Sequence, residues 1–172
     1  METNDVEKVY LLSDDEIPNN PALPLLFYHG GIRNRTASCA NVFKENNWTN
    51  AWRNGVFDYH HYHSNTHEVL GIVSGTACIL FGGENGRKLE VKKGDTVVIP
   101  AGVAHKKESS SEDFQVIGAY PNRMTPDLKT GKADERPVAQ ATIKNVPLPT
   151  TDPLQGRSGP LIEIWSNGPK NK

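Results

Sequence analysis

The sequence predicts an all-β fold, a sandwich or barrel of short strands, and three observations predict it. The 172-residue chain carries 15 glycines and 12 prolines, punctuation that suits many turns better than a helical bundle. From Val56 to Tyr120, short runs of β-branched and aromatic residues alternate with Gly, Asp and Asn. Breaks at Gly75, Gly82-Gly83, Gly86, Gly94 and Gly102 space those runs as a sandwich or barrel spaces its strands. The length fits one domain with a real core.

In chain order, residues 9–12 form a short apolar run, and the turn-rich stretch 13–24 follows it. Residues 25–28 read as a strand closed by Gly30-Gly31. One short helix is expected next. Thr36 or Ser38 caps it, Cys39, Val42, Phe43 and Asn46 share a face, and Asn46-Asn47 ends it. Six strands are then expected, over 56–63, 68–73, 76–81, 88–91, 96–99 and 114–120. After Pro121 the pattern fades: 122–137 reads as loop and 138–153 as extended chain, with Pro137, Pro147, Pro149 and Pro153 as the reason. Leu161, Ile162, Ile164 and Trp165 form a last apolar cluster, and Lys170–Lys172 are expected to fray. The chain so divides into an N-terminal arm (1–54), a barrel core (55–121) and a C-terminal arm (122–172) that completes the barrel or meets a partner.

Bulk properties exclude several classes of function. The net charge is −1, so no electrostatic footprint points to nucleic acid or an anionic membrane. No apolar run approaches the roughly 20 residues that span a bilayer. The acidic, polar start has no signal-peptide core after it. Two cysteines, Cys39 and Cys78, make no disulfide framework, which points to a reducing cytoplasm.

Four side chains carry the chemistry. His61 and His63 are two apart, so on a strand they share a face. The polar turn Ser64-Asn65-Thr66 can bring Glu68 back beside them, and Pro100-Ala101-Gly102 can aim His105 into the same cavity. Three imidazoles and one carboxylate suit one divalent Fe, Mn, Ni, Zn, Co or Cu ion far better than Mg or Ca. Four such ligands on a six-coordinate ion leave two positions for substrate, water or dioxygen.

At these residues the chain resembles the cupin superfamily. Gly55, five residues, His61-Tyr62-His63, four residues, Glu68, six residues and Gly75 match the first cupin motif at every fixed position. Gly94, five residues, Pro100-Ala101-Gly102, two residues and His105 match the second. Nine fixed residues at set offsets arise by chance on the order of 10⁻¹² times per starting position, so the match is specific. One departure is Ser109, where the second motif often has an asparagine that binds no metal. Outside the motifs, Ile17-Pro18-Asn19-Asn20-Pro21, Trp52-Arg53-Asn54-Gly55 and Gly118-Ala119-Tyr120-Pro121 look similar to the YjlB-like single-domain cupins. The resemblance implies a jelly-roll barrel (a double-stranded β-helix) with one short helix, and metal held by His61, His63, Glu68 and His105.

The remaining candidates have blander readings. Strand alternation turns His60, Tyr62 and His67 away from the ligand face, into structural or supporting roles. Cys78 reads as a small buried hydrophobe, and Lys106, Lys107 and Glu108 as a solvated turn. Trp48 and Trp52 read as caps on the core, with Arg53 a minor candidate for the barrel mouth. An enzyme acting on a small organic molecule is favoured, an oxygenase or an isomerase, decarboxylase or hydrolase, with Glu68 as its catalytic group. The alternative is a non-catalytic metal-dependent binding or sensor module. Free sheet edges and long arms suggest a homodimer.

Overall fold

In a computed structural model, residues 5–167 are described; the expected fraying of Lys170–Lys172 lies outside them. Nine strands and three α-helices run in the order β1 (Val6–Val9), β2 (Leu25–Tyr28), α1 (Cys39–Glu45), β3 (Trp48–Asn54), β4 (Glu68–Ser74), β5 (Thr76–Phe81), β6 (Arg87–Lys92), β7 (Thr96–Ile99), β8 (His105–Ser110), β9 (Gln115–Pro121), α2 (Arg136–Lys144) and α3 (Pro160–Asn167) among the described residues. They build two antiparallel sheets: a six-stranded one in the order β1-β2-β7-β4-β9-β3, and a three-stranded one in the order β6-β5-β8. Facing sheets of this kind form the jelly roll that the sequence predicts.

Two layers of core explain which sequence patterns were readable. Between the sheets, Phe27, Leu70, Ile72, Val97 and Val116 of the large sheet pack on Ile79, Phe81, Leu89 and Val91 of the small one. On the outer face of the large sheet, Leu26, Val69, Val98 and Ala119 pack on Val42 and Phe43 of α1 and Leu161, Ile164 and Trp165 of α3. The central strands β2, β4 and β7 are therefore buried on both faces and read as unbroken apolar runs. Helix α1 lies close because Gly71 carries no side chain: a Cβ there would sit 2.4 Å from Cys39 Sγ. Strand β6 alternates exposed and buried residues, as a half-covered strand does.

Several expectations need correction. The stretch 56–63 is no regular strand. It runs beside β8, with Lys107 N–H donating to Phe57 O and an isolated bridge joining His61 to His105. The polar strand β8 lies where a solvated turn was expected, because HKKESS has no apolar alternation and its outer half is exposed. The edge strand β3, half-exposed and irregular between Thr49 and Trp52, escaped notice for the same reason. Helix α2 replaces the extended chain expected over 138–153 as far as Lys144: Pro137 sits in its first turn, where the missing N–H costs nothing, and within the helix only Ala139 and Ile143 are buried. The cluster at 161–165 is helical too, with Leu161, Ile164 and Trp165 on one buried stripe. At α1 the Ser38 hydroxyl donates back to Arg35 O, so no side chain caps the helix.

The C-terminal segment folds back onto its own sheet through Asp152. This fully buried carboxylate accepts hydrogen bonds from Tyr28 Oη (2.7 Å) and from the backbone N–H groups of Leu154 (2.8 Å), Gln155 (3.1 Å) and Leu161 (3.0 Å). No helix of the described residues is long and apolar enough to cross a membrane.

Candidate metal centre

The centre lies between the sheets at one end. Glu68 opens β4 in the large sheet and pairs with Ile99, while His105 opens β8 in the small sheet opposite Phe81. The segment carrying His61 and His63 is held on both sides. His61 exchanges backbone hydrogen bonds with His105 (3.3 and 2.9 Å), and Tyr62 exchanges a pair with Lys129 (2.9 Å each). Gly102, at a φ of +92° that a glycine adopts freely, donates its N–H to His63 O at 2.8 Å. The turn before His105 is thereby tied to the histidine pair, and His61 and His63 share the inner face while Tyr62 points into a separate apolar cluster.

The ligand atoms of His61, His63 and His105 all lie within 4.8 Å of one another. Each Nδ1 faces a backbone carbonyl: Tyr59 O at 3.1 Å for His61, Asp127 O at 2.6 Å for His63 and Val103 O at 3.3 Å for His105. A carbonyl only accepts, so each Nδ1 carries a proton and Nε2 is the ring atom left to face the centre. Glu68 Oε1 is 3.3 Å from Nε2 of both His63 and His105. Two ligands each about 2.1 Å from one ion stand about 3.0 to 3.4 Å apart at octahedral or tetrahedral angles, which brackets that spacing. Neither contact has hydrogen-bonding geometry, so the buried Oε1 atom is left without a hydrogen-bond partner. The three histidines form a group whose chemistry suits a divalent transition ion, and Glu68 stands beside two of them, His63 and His105.

Charge follows burial. Burial, then the neighbouring His105, pushes the His61 imidazole down to about 3. Burial opposes a charge on His63 as well, but the Glu68 carboxylate outweighs it and raises that group. Glu68 is itself held well below the usual carboxylate range, its burial more than offset by His63 and His105. The site so favours one anion among imidazoles, which is the balance a cation completes.

Beside these residues lies a cavity of about 300 Å³. Its wall holds residues the sequence did not single out for the site: Tyr120, Phe57, Leu128 and Asp127. Trp52, read as a cap on the core, does pack against it and lines the wall as well. Its Nε1 donates to Tyr120 Oη at 2.7 Å, and its indole lies over Gly118, where a Cβ would meet the ring at 2.3 Å. Burial, then the Glu68 charge, raises the Tyr120 phenol far above its ordinary value. An aromatic after a glycine two positions back on a strand was the one available signal for that pair. Asp127 gave none, because it acts through a turn: its carboxylate accepts from Ser64 N–H (2.7 Å) and from the Ser64 hydroxyl, while its own carbonyl holds His63.

The other candidates stand apart. His60 reaches outward to Glu84 at 2.6 Å. Arg53 turns onto Gln115 at 2.7 Å, exposed and outside the cavity wall. Cys78 is half-exposed on the small sheet and so is no core residue. His67 is buried, and its Nδ1 accepts from Ala101 N–H at 2.9 Å. Burial lowers it to about 4; the Pro147 carbonyl resists that, though not in hydrogen-bonding geometry. A larger cleft of about 890 Å³ lies past His67, between the 18–23 loop, α2 and α3, but no cluster of ligating side chains among the described residues faces it.

Comparison with known proteins places the chain. The Cupin family profile matches residues 49–126, the stretch that holds all four candidate ligands. The uncharacterized protein YjlB of Bacillus subtilis is 49% identical over 159 residues, covering 92% of this chain and 96% of its own length. The chain therefore belongs to the cupins, within the YjlB-like group. An uncharacterized Streptomyces coelicolor protein is 46% identical over 53 residues, 31% of this chain and 48% of that one. Among solved structures, a TDP-quinovose 3,4-ketoisomerase from Campylobacter jejuni overlaps at a TM-score of 0.42 and 18% identity, over 51% of this chain and 72% of that one.

Proposed function

We propose that this cupin is a metal-dependent enzyme acting on a small organic molecule, with His61, His63, Glu68 and His105 as ligands of one divalent Fe, Mn, Ni, Zn, Co or Cu ion. One observation carries the reading: three Nδ1 atoms committed to carbonyls, with three Nε2 atoms and one orphaned carboxylate oxygen converging. When bound, the ion supplies Lewis acidity, or electrons where it is redox-active, for oxygenation, isomerisation, decarboxylation or hydrolysis. Glu68 offsets half of a divalent charge and sets how strongly the centre attracts a substrate oxygen. Trp52 fixes the Tyr120 hydroxyl as an acceptor, so the phenolic proton is directed away from the indole, with Glu68 as its charged neighbour. Pro126 and Leu128 line the cavity and add to its apolar wall. Unpaired Cys39 and Cys78 agree with a cytoplasmic setting.

Two variants test the proposal. His61→Ala with His63→Ala should drop metal content to background; full stoichiometric metal in that protein refutes the ligand assignment. Glu68→Gln keeps the shape and raises the net charge of the centre by one. Its metal affinity should fall modestly and its turnover of oxidisable or enolisable carbonyl compounds far more, because the charge matters most in the transition state. If metal-loaded Glu68→Gln matches the wild type on every compound turned over, Glu68 has no catalytic role. If the metal-loaded wild type turns over none of a broad panel, the binding-module reading replaces the enzyme.

A further inference from the structure

The wall of the 300 Å³ cavity specifies what enters it. No lysine or arginine lines it among the described residues. Of the basic residues that follow wall positions in sequence, Arg53 is engaged by Gln115, Lys106 sits beside Glu84 and Glu108 at 3.8 and 3.4 Å, and Lys129 is not part of the wall. Of the charged groups on the wall, Glu68 belongs to the centre and Asp127 is bound by Ser64. The rest of the surface is largely aromatic and aliphatic, from Trp52, Val56, Phe57, Leu70, Tyr120 and Leu128. Phe57 stacks on Tyr59, with ring centroids 4.9 Å apart and planes 15° apart, and both rings are partly exposed.

Charge and size then restrict the occupant. A divalent ion with Glu68 as its anionic ligand leaves one net positive charge. One anionic oxygen neutralises that charge, and a second would be buried with no partner. A cavity of 300 Å³ filled at protein-like density holds a body of roughly ten to fifteen non-hydrogen atoms, about one ring with its substituents.

Building on the metal-centre reading above, we infer that the substrate is a compact, uncharged or singly anionic molecule that presents oxygen to the metal and an apolar, ring-sized body to the Trp52, Phe57 and Leu128 wall. Phosphorylated compounds, nucleotide sugars and dicarboxylates are excluded by the same wall.

The test uses full-length protein loaded with Co(II) under anaerobic conditions. Tropolone serves as the singly anionic ring probe, and malonate and phosphoglycolate as the multiply charged ones. Binding is read by the shift in cobalt visible absorption and by equilibrium dialysis, with cobalt content measured after each titration. Each affinity is divided by that of the same probe for aqueous Co(II). On that scale tropolone should bind at least tenfold better than either of the others. Leu128→Arg alters a half-exposed wall residue, so the fold is kept, and it should strengthen malonate binding at least fivefold. Cobalt-loaded protein that prefers malonate or phosphoglycolate, or a Leu128→Arg variant with no gain, overturns the inference while leaving the metal centre standing. Wild-type protein that holds no more cobalt than the His61/His63 double variant overturns the metal centre, and the substrate class falls with it.

Discussion

Asp127→Ala tests whether residues 124–129, a strap that lines the cavity through Pro126, Asp127 and Leu128, tune the metal or merely cover it. The side chain accepts two hydrogen bonds from Ser64, and the backbone carbonyl of the same residue holds His63 Nδ1 at 2.6 Å. Hydrogen bonds to a charged acceptor contribute about 1.5 to 3 kcal/mol each, and partial burial lowers the sum. Losing the pair should therefore cost about 2 to 4 kcal/mol. That loss falls on the strap, which is also pinned by Asn65 to Thr125 O and Asp127 N–H, by Asn50 to Met124 O and by the backbone pair between Tyr62 and Lys129. Once the strap moves, the Asp127 carbonyl no longer fixes the tautomer and tilt of His63. Disturbing such a support for a ligating histidine weakens metal binding about 10- to 100-fold. Competition titration against a chromophoric chelator gives the metal dissociation constant, with Asn50→Ala as a control that loosens the strap without touching Ser64. A fall in melting temperature with an unchanged metal constant refutes the coupling and reduces Asp127 to a structural anchor.

Other outcomes follow from the same geometry. The ligands come from separate elements, so the ion binds only the folded chain; at a thousandfold excess over Kd it adds about 4 kcal/mol, which for a domain this size is roughly 8 to 16 °C. A chelator should lower the melting temperature of the wild type by that order and leave the His61/His63 double variant unmoved; equal shifts argue against the site. Alkaline titration should destabilise the protein. Burial lifts Tyr28 well above its ordinary value, Cys39 to about 12 and Tyr62 to about 12. The folded chain therefore keeps protons that the unfolded chain gives up, so stability is whole below about pH 8.5 and falls as pH rises toward the folded values. Tyr28→Phe should flatten that decline above about pH 10 in denaturant midpoints measured against pH, and an unchanged slope counts against Tyr28. Strands β1 and β3 end the large sheet among the described residues, and we propose that such edges serve a homodimer. Sedimentation showing a strict monomer at micromolar concentration contradicts it.

What the sequence made legible was whatever two buried faces or a motif's spacing dictate. The central strands β2, β4 and β7 announce themselves because, Glu68 apart, their buried side chains are apolar or small. Edge strands obey no such demand. In β8 only His105 is fully buried, so its sequence reads like a turn, although pairing with β5 along its whole length makes it a strand. The helices at the C-terminus failed for a related reason: each is short and carries a proline in its first turn, and its helical character comes from docking rather than from propensity.

The site divides along the same line. Ligand types and offsets are local facts, and the two-residue spacing of His61 and His63 keeps them on one face even though their segment is held by isolated bridges instead of a ladder. Everything that orients those ligands is non-local. The carbonyl that sets the His63 tautomer lies 64 residues away in sequence, and the indole that holds Tyr120 lies 68 away. A backbone carbonyl also leaves no trace in residue identity, since any side chain at 127 would supply one. The Asp127 carboxylate is legible only once its partner is known, because its work is to hold the strap on Ser64 so that the carbonyl arrives in place. A motif therefore reports which atoms can bind an ion, while the strap and the aromatic wall decide how tightly it is held and what may approach it.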